Sequence, residues 1–239
     1  MKFLSKALIL SAALYPLITA SAAQANDFEL SGNVALTTQY KFRGITQSDE
    51  HAALQGGFDV SHSSGLYAGV WGSNVDFNDS DEASVEIDAY GGFFNSIDQF
   101  SYDVGFIYYA YPGADSSLNY DFVEGSLALG YDFGSFATSA SVNYSPEYFG
   151  NSGHAEYYAL GLEIPMPYDV TLSGHLGYQN IEDNSAFGVP DYADWSIGLG
   201  YSLYDFDLSL QYVDTDLDEP SECADGCRES LIFSISRSF

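Results

Sequence analysis

Basic residues are nearly missing from this chain. Six of its 239 residues are Lys or Arg, against 34 Asp and Glu, which leaves a formal charge of −28 at pH 7. Such an acidic surface repels a phosphate backbone and excludes nucleic acid as a partner. Long apolar runs are missing too: after the first 25 residues no stretch is apolar enough for a transmembrane helix. No helix-period segment of useful length competes with the alternating patterns that fill the chain. Cysteine is scarce, with two residues placed close together near the C-terminal end. Acidity combined with few bases ordinarily suggests disorder, but disorder also requires few aromatics, and this chain has 20 Tyr and 17 Phe.

The N-terminal stretch reads as a secretory signal over 1–25. Lys2 and Lys6 give the positive end, 7–18 is an apolar run broken by Ser11 and Pro16, and Ala23-Gln24-Ala25 is a small-x-small cleavage site. The run is too short for a transmembrane anchor. The expected mature chain is 26–239, beginning at Asn26, and its charge becomes about −30 once Lys2 and Lys6 leave. A chain that leaves the cytoplasm without a spanning helix can sit in a membrane only as a closed barrel.

Period-two alternation fills the rest. It predicts strands near 28–42, 53–61, 66–77, 84–94, 100–110, 122–133, 136–144, 156–164, 168–178, 194–203, 206–214 and from about 230. In the first, Phe28, Leu30, Val34, Leu36, Tyr40 and Phe42 share an apolar face opposite Glu29, Ser31, Gln39 and Lys41. In the third, Tyr67, Trp71, Val75 and Phe77 share one face, without a clear polar counterpart. The links alternate in length. Short ones fall at 62–65, 95–99, 134–135, 165–167 and 204–205; mostly longer ones fall at 43–52, 78–83, 111–121, 145–155, 180–193 and 215–229. Membrane barrels have short turns on the periplasmic rim and longer external loops. The expected fold is therefore all-β, a transmembrane antiparallel up-and-down β-barrel of 12 strands with both mature termini periplasmic. Twelve strands lie between the filled interior of eight and the open channel of sixteen. The expectation is a narrow pore, restricted further by an inward loop or by Tyr109 and Phe94.

The chain ends on LIFSISRSF, in which Leu231, Phe233 and Ile235 alternate with Ile232, Ser234 and Ser236 before Phe239. This resembles the closing strand of bacterial outer-membrane barrels, with Phe233, Ile235 and Phe239 as its assembly signal. Arg237 departs from the usual apolar residue, at a rim where its side chain can reach phosphate.

On this register the lumen-facing acids are Glu29, Asp59, Glu86, Asp88, Asp103, Glu124, Glu163, Asp169 and Asp207, with Lys41 the main base opposing them. Carboxylate rings favour cations, and Glu86 and Asp88, two apart on one face, form the leading selectivity pair. The same carboxylates can also serve simply to keep a wet interior wet. Arg43, beside Gly44 at the mouth of the first long loop, can pin that loop to lumen carboxylates or anchor to lipid phosphate.

The outer loops carry Asp49, Glu50, Asp79, Asp81, Glu82, Glu182, Asp183, Asp214, Asp216, Asp218 and Glu219. Such oxygen clusters can hold calcium or magnesium, although a hydrated acidic surface is the simpler account of them, and no other cofactor is expected. Cys223 and Cys227 flank Ala224-Asp225-Gly226, which suits a structural disulfide in an oxidising compartment. It suits neither a thioredoxin-like site nor zinc. His175 faces inward with Ser173 beside it, not outward as an outer-membrane phospholipase would need, and no nucleophile elbow or phosphate loop is present. The chain is not expected to be an enzyme.

The stretches FELSGNVALTTQYKFRGITQSDEHAALQGGFDVSHSSGLYAGVWGSNVDF, VEIDAYGGF and YDVGFIYYAYPG resemble the TorF-type porins of proteobacteria, most specifically over 40–47, 69–74 and 86–91. The resemblance implies an outer-membrane barrel and little about substrate. Two functions follow as expectations. One is passive diffusion of small hydrophilic solutes, with cations preferred. The other is a non-conducting structural or interaction barrel whose acidic loops bind divalent cations, envelope lipid or a protein. Expected partners are outer-membrane lipid and lipopolysaccharide, with the barrel-assembly machinery and periplasmic chaperones during biogenesis.

Overall fold

Strands whose side chains alternate between apolar and polar can bury neither face against a core of their own. They gain by closing on themselves, apolar side outward. The computed structural model describes residues 27–78 and 83–239. The proposed signal at 1–25, and Asp79, Asp81 and Glu82 of the second long loop, lie outside the described residues. The strands are β1 (Phe28–Thr37), β2 (Lys41–Phe42), β3 (Ile45–Thr46), β4 (Ala53–His62), β5 (Leu66–Asn74), β6 (Val85–Ile97) and β7 (Phe100–Ala110). They continue as β8 (Phe122–Asp132), β9 (Ala137–Ser145), β10 (Ala155–Pro165), β11 (Val170–Ile181), β12 (Tyr192–Leu203), β13 (Phe206–Thr215) and β14 (Ser230–Ser238). All but β2 and β3 pair antiparallel with their sequence neighbours, and β14 returns to β1, closing a barrel of 12 strands.

Closure rests on a short seam. The β1–β14 register runs from Asn33 opposite Ser238 to Thr37 opposite Ser234, whereas β1 and β4 pair from Phe28 to Thr37. Two reciprocal backbone bonds of 2.9 Å between Gly32 and Phe239 extend the seam at one end. At the other, Thr38 donates to the Phe233 carbonyl at 2.9 Å. Gly32 lets the Phe239 ring lie directly over the seam, since a Cβ there would meet that ring at 2.8 Å and displace it.

The exterior is apolar. Leu30 is 82% exposed, and Leu54, Phe58, Phe106, Leu160, Ile197 and Leu231 stand out in the same way. Exposed aromatics gather near both rims: Phe28, Phe133, Tyr168, Tyr204 and Phe206 by the short turns, Tyr108, Tyr144, Tyr158 and Tyr178 toward the long loops. A hydrocarbon surround accounts for a surface of this size and banding, and an aqueous one does not. Arg237 lies on this exterior, paired with Asp205 at 3.2 Å across the short-turn rim.

The first predicted strand is corrected at its end. Alternation carries it to 42 with Tyr40 and Phe42 outward, but β1 stops at Thr37. There the Thr37 hydroxyl donates to the Gln39 carbonyl at 2.9 Å, and the chain turns inward. Tyr40 and Phe42 pack inside the barrel against a cluster that includes Tyr109, Tyr111 and Phe122. Tyr67 and Trp71 of β5 pack against the same cluster, while Leu66 and Val70 face outward.

Candidate functional site

The interior is organised by a hairpin that does not belong to the barrel wall. β2 and β3 pair Lys41 with Thr46 and Phe42 with Ile45, so Arg43-Gly44 is a two-residue turn. Both residues have positive φ, 48° and 82°, the backbone of a primed hairpin turn. Gly44 adopts it freely. Arg43 takes on left-handed strain, held by the contacts its side chain makes at the tip. A Cβ at Gly44 would strike the Thr215 methyl and reach Asp194 Cβ at 3.0 Å, so glycine is also needed for the hairpin to lie against β12 and β13.

Arg43 is 2% exposed. Its Nη2 donates to Glu124 Oε2 at 2.7 Å and its Nη1 to Gln179 Oε1 at 2.8 Å. The guanidinium lies 4.2 Å from the Tyr157 ring centroid and 4.6 Å from that of Phe42. A buried charge needs this kind of enclosure, with an ion pair, a neutral acceptor and aromatic faces together. The hairpin is tied down at its base as well. Lys41 Nζ donates to the Arg228 carbonyl at 2.6 Å, the Thr46 amide donates to the Gly226 carbonyl at 3.0 Å, and Arg228 pairs with Glu50 at 3.0 Å. Desolvation pushes the Lys41 ammonium below its ordinary pKa. Lys41 thus ties down the loop base and also lines the interior cavity, while Arg43 is a second base held inside the barrel.

Around the tip, Tyr109 stacks on Phe122 at 4.3 Å and Tyr120 on Phe149 at 4.3 Å, with Tyr148 edge-on to Phe122. Together with the hairpin these rings fill the long-loop half of the barrel. The alternative expectations for narrowing the interior are an inward loop and Tyr109 with Phe94; the hairpin is inserted and Tyr109 packs beside it, while Phe94 lies half-buried toward the opposite rim.

The short-turn half holds a cavity of about 300 Å³, roofed by Lys41, Phe42 and Gly44. Its walls present the carboxylates of Glu163, Asp169, Asp194 and Asp207, the His175 imidazole, and hydroxyls including Thr171, Ser173, Ser196, Ser209 and Ser234. His175 Nε2 lies 3.1 Å from Asp194 Oδ1 and 2.8 Å from the Tyr157 hydroxyl, which donates to Asp194 Oδ2 at 2.8 Å. Tyr157 thus links the cavity wall to Arg43 through its ring face. Replacing Gly177 with Ala should break this link, since a Cβ there would collide with the Tyr157 hydroxyl and Asp194. The expected result is a loss of about 1–3 kcal/mol in denaturant unfolding of the detergent-folded protein; unchanged stability would refute the close packing.

The other predicted residues are spread around the barrel. Glu29 is exposed near the short-turn rim, and Asp169 lies in a turn there with φ of 60°. Asp207 accepts from the Ser202 hydroxyl at 2.6 Å. Asp59 accepts a hydrogen bond from the Tyr90 hydroxyl, and Asp103 accepts from Tyr67 at 2.9 Å. Glu86 and Asp88 are fully buried and stand outside the cavity lining, behind the hairpin. Cys223 and Cys227 are joined as a disulfide in the last loop, where Glu219 accepts from the Cys227 amide at 2.7 Å. Asp194 and Gln179 are not among the expected site residues. Asp194 shares its strand face with Ser196, which is the signal the sequence offers for it.

Family comparison covers almost all of this structure. The model for a bacterial protein of unknown function, Gcw_chp, matches residues 21–239. The chain belongs to the Gcw_chp family. No curated protein sequence matches it. Among solved structures, the NanC porin is similar with a TM-score of 0.58 at 12% identity, covering 88% of this chain and 99% of that one. An outer-membrane channel from Pseudomonas putida F1 gives 0.45 at 11% identity, covering 92% and 100%. The NanC likeness is one of fold: this Gcw_chp chain has the barrel architecture of a porin.

Proposed function

We propose that this chain is an outer-membrane porin that passes small hydrophilic solutes by a restricted path, with cations preferred. One observation carries the reading: a closed barrel, apolar outside, encloses a polar cavity of about 300 Å³ in which the carboxylates of Glu163, Asp169, Asp194 and Asp207 outnumber the Lys41 ammonium and the His175 imidazole. Carboxylates lining a narrow path attract cations and repel anions. On this reading the short-turn rim, with both termini, faces the periplasm, and the cavity is the periplasmic vestibule. Outer-membrane lipid and lipopolysaccharide surround the belt, and periplasmic chaperones and the barrel-assembly machinery handle the nascent chain. The finer grouping with TorF-type porins rests on the blocks 40–47, 69–74 and 86–91.

A second reading, a non-conducting barrel that acts through its loops, is favoured by the Arg43 hairpin lying across the interior. Planar-bilayer recording separates the two. The porin reading expects small discrete conductance steps and a reversal potential of cation-selective sign in a salt gradient. Silence across a range of salts from protein shown to be folded would exclude it, and anion preference would exclude a selective role for Glu163, Asp169, Asp194 and Asp207.

A further inference from the structure

Glu86 and Asp88 are 1% and 0% exposed and stand on the inward face of β6. Glu86 Oε1 accepts from the Tyr40 hydroxyl at 2.9 Å, and the Tyr111 phenol lies beside the same carboxylate. Among the described residues no donor group reaches either Asp88 oxygen, whose one polar neighbour is the Glu86 carboxyl itself. Both Arg43 terminal nitrogens are taken by Glu124 and Gln179, and its Nε bonds neither Glu86 nor Asp88. Two adjoining buried carboxylates without a cation are strongly unfavourable. The donors that converge on this point are all oxygens, two carboxylates and two phenols, the set a hard cation takes.

We propose that Glu86 and Asp88 hold a single calcium-class divalent cation inside the barrel wall, with Tyr40 supplying a neutral oxygen from the inserted hairpin. Calcium accepts irregular oxygen cages more readily than magnesium does. Bound there, the ion neutralises the pair and joins the hairpin to β6 at a point Arg43 does not reach. This site is separate from the acidic outer loops, its two carboxylates lie outside the cavity lining although Tyr40 borders it, and it does not depend on conduction.

The experiment uses the full mature chain folded in detergent and stripped with a chelator. Calcium is titrated calorimetrically, and terbium is followed by luminescence excited through Tyr40, Tyr109, Tyr111 and Trp71. A single saturable site is expected, with terbium displaced by calcium. Asp88→Asn and Glu86→Gln should each weaken it by about tenfold or more, while Asp218→Asn, in the last outer loop, should leave it unchanged. Both interior variants remove a buried charge, and heat-modified gel mobility verifies that each has folded. Absence of saturable binding to the folded wild type would overturn the proposal and leave a proton shared between the two carboxyls. Binding that survives both variants would overturn it in favour of the loops.

Discussion

Arg43→Met should raise the conductance several-fold and free residues 40–48 for hydrogen exchange, without dissolving the barrel. The substitution keeps length and apolar contact with Tyr157 and Phe42 but leaves Glu124 buried without a counter-ion, held only by the 3.4 Å contacts from Tyr109 and Asn143. Breaking a buried ion pair in this way costs roughly 3–5 kcal/mol. The wall has an alternative to bearing that cost: the hairpin swings out, water reaches Glu124, and the left-handed strain at position 43 is released. The loss therefore falls on loop docking, because the strand ladders do not depend on Arg43. Adding Glu124→Gln removes the second charge and should restore part of the closed state. If Arg43→Met conducts and exchanges like the wild type, the hairpin is not a latch.

Phe239→Asp should lower the yield of assembled barrel several-fold while leaving the conductance of correctly folded molecules close to normal. Phe239 is 68% exposed at the short-turn rim, lies over Gly32, and exchanges two backbone hydrogen bonds with it. The seam it closes spans only Asn33 to Thr37 on β1, so its end contributes a large share of the β1–β14 pairing. A carboxylate there places charge where the exterior is apolar and removes the ring that covers Gly32. Phe239 does not line the cavity, so any conduction through it should not register the change. Quantitative gel-shift assays of heat-modifiable protein measure the yield. Normal assembly of the variant would mean that barrel closure does not depend on the Phe239 ring.

Strand number, pairing order and the alternation of short and long links were legible because each depends on local patterns: period two, turn residues and link length. The first strand shows where that legibility ended. Tyr40 and Phe42 keep the parity of Phe28 and Leu30, so alternation alone carried the strand five residues too far. An aromatic that faces lipid and one that faces a packed interior look alike in sequence, as Tyr67 and Trp71 also show. Parity likewise sent Lys41 to the lumen, and it does line the cavity, but from the inserted hairpin strand β2 and not from the barrel wall. The signal for that hairpin was present in Arg43-Gly44, a lone base beside a glycine in a very acidic chain. Its ionic partner on β8 and neutral partner on β11 could not be read, since nothing local relates positions 43, 124 and 179. Glu163 and Asp169 were placed by alternation alone, whereas the Tyr157, His175 and Asp194 cluster depends on three strands meeting across the barrel.

The hairpin also fixes an order of events. It is made between β1 and β4, among the first parts of the chain, yet its tip is held by Glu124, Tyr157 and Gln179 and its flank lies against Asp194 and Thr215. None of these positions exists as a surface until β8 and β10 through β13 have been added. Contacts so distant in sequence form late. The seat of the hairpin is thus a product of the closed wall: five strands must stand in place before the loop that joins the first two has anything to rest on.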